Sequence, residues 1–171
     1  NSQPTADVTI HLDSSDPSEG TVSPASVTFT AAEWKVPQTV TVTGVNDGLD
    51  DGDVAYTIVT AAATSADASY NNLNAADVWV TNTDNDTAGI TVNPTSGLVT
   101  TEAGGAATFT IVLNSQPMAD VTIGLTSSDA SEGSVWPGSV TFAPGDWSVP
   151  RTVTVTGLDE ALLDGDVTFT I

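Results

Sequence analysis

Residues 1–58 return as residues 114–171 at an offset of 113, without a gap. Of the 58 aligned pairs 20 differ, which leaves 38 identical, among them "ADVTI", "SVTF" and "TVTVTG". A repeat of this length fits one ordinary β-domain, so the chain holds about one and a half copies. Within the unit the period is two. Val8, Ile10 and Leu12 alternate with Thr9 and His11, and Phe109, Ile111 and Leu113 alternate with Thr108 and Thr110. Val40 and Val42 alternate with threonines in the same way. That is the pattern of half-buried antiparallel strands with threonine on the wet face, and helical spacing is sustained nowhere.

Counted from Ala88, the unit predicts seven strands. They are A near 89–100, B at 106–113, C at 120–126, D at 140–142, E at 151–157, F at 166–171 and, in the first copy alone, G near 77–82. Seven short strands separated by Gly, Pro and Asp turns predict an all-β fold of tandem immunoglobulin-like antiparallel sandwiches. A barrel or jelly roll is the alternative closure. The expected division is 1–86, a repeat lacking A and B, and 87–171, a repeat lacking G. Strand exchange between identical chains does not supply the missing strands, because neither copy has them to spare. The chain is therefore expected to be an excerpt of a longer head-to-tail array, its partners being further copies of the same repeat.

Composition narrows function by exclusion. Asp and Glu number 22 against Lys35 and Arg151, a formal net charge of −20. A nucleic acid or an anionic membrane surface needs a basic partner, so neither is expected. No cysteine is present, which excludes disulfides and thiolate chemistry. No apolar run approaches the ~20 residues of a membrane-spanning helix. A lone histidine, His11, replaced by Gly124 in the second copy, supports no catalytic triad, and no phosphate loop or zinc signature occurs. Paired carboxylates on a repeated convex pole do not resemble a glycosidase cleft, so no enzyme activity is expected.

The acids are not scattered. If the strands run up and down, the A–B, C–D and E–F turns and the end of G share one pole. The A–B turn holds Glu102; the C–D turn holds Asp16 and Glu19, repeated as Asp129 and Glu132. The E–F loop "VNDGLDDGD" holds Asp47, Asp50, Asp51 and Asp53, and its repeat holds Asp159, Glu160, Asp164 and Asp166. The end of G, "TNTDND", holds Asp84 and Asp86. Several hard carboxylate oxygens on loops are what Ca²⁺ coordinates, at about six to eight ligands. Zinc would want His or Cys. The competing reading is an acidic, halophile-like surface with no bound ion.

"VTVTGVNDGLDDGD" and "TNTDND", with "TEAGG" upstream, resemble the Calx-β fold. The unit is similar to the tandem Calx-β-like repeats of very large secreted bacterial surface proteins and adhesins. The resemblance implies calcium ligands at Glu102, Glu19, Glu132, the four acids of each E–F loop, Asp84 and Asp86. Asn46 stands where an acid is common, and Leu163 replaces Asp50 in the second copy, so that copy is expected to hold fewer ions. It further implies an extracellular, cell-surface location and a role as a calcium-stabilised, stiff structural spacer of an adhesin or filament. The short acidic joint "DNDTAGI" (84–90) would be stiffened by calcium. The alternative is an adhesion module that binds a glycan or protein through the long F–G loop, with Tyr70, Asn71, Asn72 and Asn74. Trp34 and Trp147 are expected to cover the core, and the threonine rows to be ordinary wet strand faces.

Overall fold

The computed structural model describes residues 2–161 and 165–171. Among these the protein is all-β with antiparallel sheets and no helix. It divides into two compact units: unit 1 is Asn1–Asp47 with Asp51–Asp84, and unit 2 is Gly48–Asp50 with Asn85–Ile171.

Unit 1 contains β1 (Val8–Ser14), β2 (Gly20–Ser23), β3 (Ser26–Phe29), β4 (Thr41–Gly44), β5 (Val54–Thr60), β6 (Thr64–Ser65) and β7 (Val78–Asn82). One sheet runs β3-β1-β5-β7, with β6 also pairing β1, and β2 pairs β4 apart from it. Leu12 of β1 and Tyr56 and Ile58 of β5 form the buried cluster, and Val22 and Val42 from the β2–β4 pair pack against it.

Unit 2 contains β8 (Ile90–Asn93), β9 (Ala106–Leu113), β10 (Val121–Gly124), β11 (Gly133–Trp136), β12 (Ser139–Phe142) and β13 (Arg151–Gly157). One sheet runs β11-β13-β9-β8, and β10 pairs β12 apart from it. Strict alternation does the sorting: Phe109, Ile111 and Leu113 of β9 and Val153 and Val155 of β13 turn inward, their threonine neighbours outward. They meet Val140 and Phe142 of β12, so the core lies between the two pairings, as in a sandwich. Trp147 packs against this core as expected, while Trp34 is half-buried with the Lys35 ammonium 4.8 Å from its ring centre.

Several expected elements differ. Strand A stops at Asn93, because Pro94 has no N–H to give and Gly97 takes a left-handed φ of 77°. The short strands β2 and β11 were not foreseen; four residues carry too little alternation to be told from a turn. Residues 166–171 are not a strand, although their counterpart is β5. They keep one of its contacts: Ser128 N–H donates to the Thr170 carbonyl at 2.8 Å, as Ser15 N–H does to Thr57 at 2.9 Å. In β5 a second partner, β7, completes the ladder on the other edge.

The same residue is buried differently in the two units. Phe142 is 0 % exposed, whereas its counterpart Phe29 is only half-buried. Phe142→Ala is therefore expected to cost about 3–5 kcal/mol of unit 2's stability, and Phe29→Ala distinctly less of unit 1's. Urea unfolding followed by hydrogen exchange in each unit checks this; equal losses would contradict the burial difference.

Candidate metal centre

The turn after β1 builds the first wall of the site. Asp16 organises it: its carbonyl accepts the N–H groups of Glu19 at 3.2 Å and Gly20 at 3.1 Å. Its carboxylate accepts the Ser18 N–H at 3.1 Å and the Ser18 hydroxyl. This is an Asx-type turn, in which the side chain stands in for backbone. The hydrogen bond from the Ser18 hydroxyl is the main reason that the Asp16 carboxyl lies below its ordinary range. Asp129 does the same with Ser131 in the second copy. Both aspartates are thus turn-builders at their positions, and Glu19 is what the turn presents.

Glu19 is 9 % exposed. Its carbonyl accepts the Val45 N–H at 2.9 Å, which ties the C–D turn to the E–F loop. Its carboxylate accepts the Asn82 amide at 3.1 Å, and the same amide nitrogen donates to the Val45 carbonyl at 2.8 Å. Asn82 at the end of β7 therefore clamps both loops. Sequence reasoning missed it; the signal is an asparagine closing a strand otherwise made of Val, Trp and Thr. Gly44 leaves room for it, since a Cβ there would stand 2.5 Å from the Asn82 Oδ1 and would push that side chain aside.

The E–F loop supplies the second wall. Gly52 adopts φ 79°, a left-handed turn that glycine takes without strain, and its N–H donates to Asp84 Oδ2 at 2.8 Å. Asp84 N–H in turn donates to Asp53 Oδ1 at 3.0 Å. Asp53 and Asp84 lock the loop onto the end of β7. What the lock leaves together is Glu19, Asp47 and Asp51, which offer ligand oxygens within 4.8 Å of one another. Two oxygens on opposite sides of a calcium ion stand about 4.6–5.2 Å apart, so the set fits such an ion. Partial desolvation, then repulsion from Asp47, Glu19 and Asp84, pushes the Asp51 carboxyl above its ordinary range.

The remaining expected ligands are placed as follows. Asp50 belongs to unit 2, where its carboxylate accepts the Ala88 N–H at 2.7 Å, and Asp86 is half-buried in that unit. Unit 2 brings together its own three turns: Leu158 N–H donates to the Glu132 carbonyl at 3.0 Å and Gly157 N–H to the Gly105 carbonyl at 3.0 Å. The Thr101 backbone sits against Gly157, where a Cβ would meet it at 2.3 Å. Glu102, Asp159 and Asp166 are exposed there and Glu160 is half-buried. Asp164, with Leu163, lies outside the described residues. Among the described residues the Glu19, Asp47 and Asp51 set is the acidic group with metal-binding spacing. The two basic side chains are engaged at other places, Arg151 with Asp146 at 2.5 Å and Lys35 over Trp34.

No family model matches the chain, and no curated protein matches it.

A raised folded pKa at Asp51 means that ionising it costs stability, a cost absent below the ordinary carboxylate range and fully present above the raised value. The calcium-free Asp51→Asn protein is accordingly expected to melt higher than the parent at about pH 7 and equal to it at about pH 3. Thermal melts in chelator across that range check the sign; a variant that melts lower at neutral pH would show that Asp51 serves the turn instead.

Proposed function

We propose that the chain is a calcium-stabilised structural module of an extracellular bacterial adhesin or surface filament, in which immunoglobulin-like, Calx-β-like repeats act as stiff spacers. One observation carries the calcium part: Glu19, Asp47 and Asp51, from two different loops, offer ligand oxygens within 4.8 Å, and Glu19 is nearly buried among like charges. Holding carboxylates this close costs repulsion that a hard divalent cation converts into attraction. Glu19, Asp47 and Asp51 would hold the ion, with Asn82, Asp53 and Asp84 positioning them. The cation's role is mechanical: it joins the turn after β1 to the loop after β4, at the end of the sheet where β7 finishes.

The spacer reading draws on the internal repeat and on the resemblance to tandem surface-protein repeats, with further copies of the repeat as neighbours. Part of the bonding capacity of the F–G loop holds the loop in place. Asn71 Oδ1 accepts the Ser65 N–H at 3.2 Å, Asn72 N–H donates to the Ala63 carbonyl at 2.8 Å, and the Tyr70 hydroxyl bonds to Ser2. Recognition of a glycan or protein by that loop therefore has no observation of its own in its favour.

Extracellular calcium modules bind at about 10⁻⁴–10⁻³ M, so ~10 mM calcium is expected to stabilise unit 1 by about 1–3 kcal/mol over chelator. Magnesium should do much less, and Glu19→Gln should abolish the calcium shift. Calorimetric titration with thermal melts tests this. A melting temperature unmoved by calcium, or moved equally by monovalent salt, would replace the ion site with a plain acidic surface.

A further inference from the structure

Tryptophan is a costly side chain to leave in water, yet Trp136 is 75 % exposed. It closes β11. Alternation with Val135, which packs against the core, turns it to the outer face of the sheet β11-β13-β9-β8. The fold does not ask for an aromatic there. At the equivalent place in the first copy stands Ser23, which pairs with Thr41 as Trp136 pairs with Thr154. An exposed aromatic that the repeat can do without points to a contact outside the protein.

The surroundings of Trp136 narrow the kind of contact. The register sets two rows across the outer face: Trp136, Thr154 and Thr108, then Thr152, Thr110 and Asn93. All six are uncharged, as are the other outward positions of these four strands, in a chain that carries 22 acids. The outward side of β1 differs, with His11 and Asp13 exposed on it. The Thr110 hydroxyl donates to the Asn93 carbonyl at 3.2 Å, while Thr108 and Thr152 are exposed. Neighbouring strands stand about 4.8 Å apart, so Thr154 and Thr108 follow Trp136 at roughly 5 and 10 Å across the sheet.

We propose that this face binds a neutral glycan lying flat on the sheet, an extended β-linked chain of gluco-configured pyranoses (the backbone chemistry of cellulose and chitin). The indole ring is negative on its face, which attracts the positively polarised axial C–H bonds of a pyranose. Gluco-configured rings carry their hydroxyls equatorially, so both ring faces are C–H and the hydroxyls point sideways. There they meet Thr154 and, one strand further, Thr108, whose hydroxyls donate and accept alike. The β-linkage keeps successive rings in an extended ribbon, the shape that an open sheet face accommodates. An anionic polysaccharide is repelled by the net charge of −20 and meets no cation on this face. An apolar peptide would cover the threonine hydroxyls without giving them partners. The proposal does not rest on the calcium reading, since none of these positions is acidic.

The test titrates cellohexaose and chitohexaose into the whole chain while NMR follows the tryptophan indole N–H signals and the amides of Thr108 and Thr154. The Trp136 indole signal is the one that Trp136→Ser removes, and that variant carries the first copy's own residue, so the fold is kept. Slow amide exchange at Val153 and Val155 reports that unit 2 is folded in every sample. The Trp136 signal is expected to shift saturably below about 10 mM sugar, and the hexasaccharide that shifts it tells the two backbones apart. Trp136→Ser should weaken binding, read at the two amides, by about tenfold or more. Thr154→Val, which keeps the shape and removes the hydroxyl, should weaken it to a lesser degree. No saturable shift with either sugar at about 10 mM, or equal binding by Trp136→Ser, would overturn the proposal. An equal response to polygalacturonate would also overturn it, because the face would then not select a neutral chain.

Discussion

Backbone pairing on both edges of a strand sets how far each strand in this protein extends. β13 is paired by β11 on one side and β9 on the other, and it runs the full seven residues of Arg151–Gly157. Its counterpart β4 is paired by β2 alone and runs four, Thr41–Gly44. The sequences are nearly the same, "RTVTVTG" against "QTVTVTG". A strand with one neighbour leaves half of its N–H and carbonyl groups without a ladder, and its end residues drop out first. β5 and residues 166–171 show the same rule in the other sheet.

Burial follows from pairing. Where β9 lies beside β13 and faces β12, Val153 and Phe142 are wholly enclosed. Val40 and Phe29, identical in kind and position, are half-buried in unit 1. The hydrophobic contribution of a side chain scales with the area that leaves water, so one residue type makes unequal contributions to the two units.

The acidic residues divide into roles that composition does not reveal. Asp16 and Asp129 fold turns, Asp53 and Asp84 lock a loop to a strand end, and Asp146 caps the Ala143 turn and meets Arg151. Each of these carboxylates accepts an N–H, which is why it tolerates its charge. Glu19, Asp47 and Asp51 gather instead at the place those turns create. The crowding of aspartates in "VNDGLDDGD" was legible as a candidate cation site because four acids in nine residues cannot avoid one another. Which of them converge was not legible. Asp50 and Asp51 are neighbours in sequence, yet one accepts the Ala88 N–H in unit 2 and the other faces Glu19 in unit 1. Adjacent side chains in extended backbone point opposite ways, and only the folded loop decides which way is inward.

By itself the sequence determined the strand class and most strand positions, because period two and turn residues are local properties of the chain. B and E were readable to the residue, since B carries three inward apolar side chains and E two, each in strict alternation with polar neighbours. Tertiary structure decided strand extent, burial and the membership of the site. Those depend on which segments lie alongside one another, and identical segments here have different neighbours. Asn82 is the clearest case: its neighbours mark it only as a polar residue closing a strand, and its amide acquires its role only where Glu19 and Val45 arrive from 63 and 37 residues away.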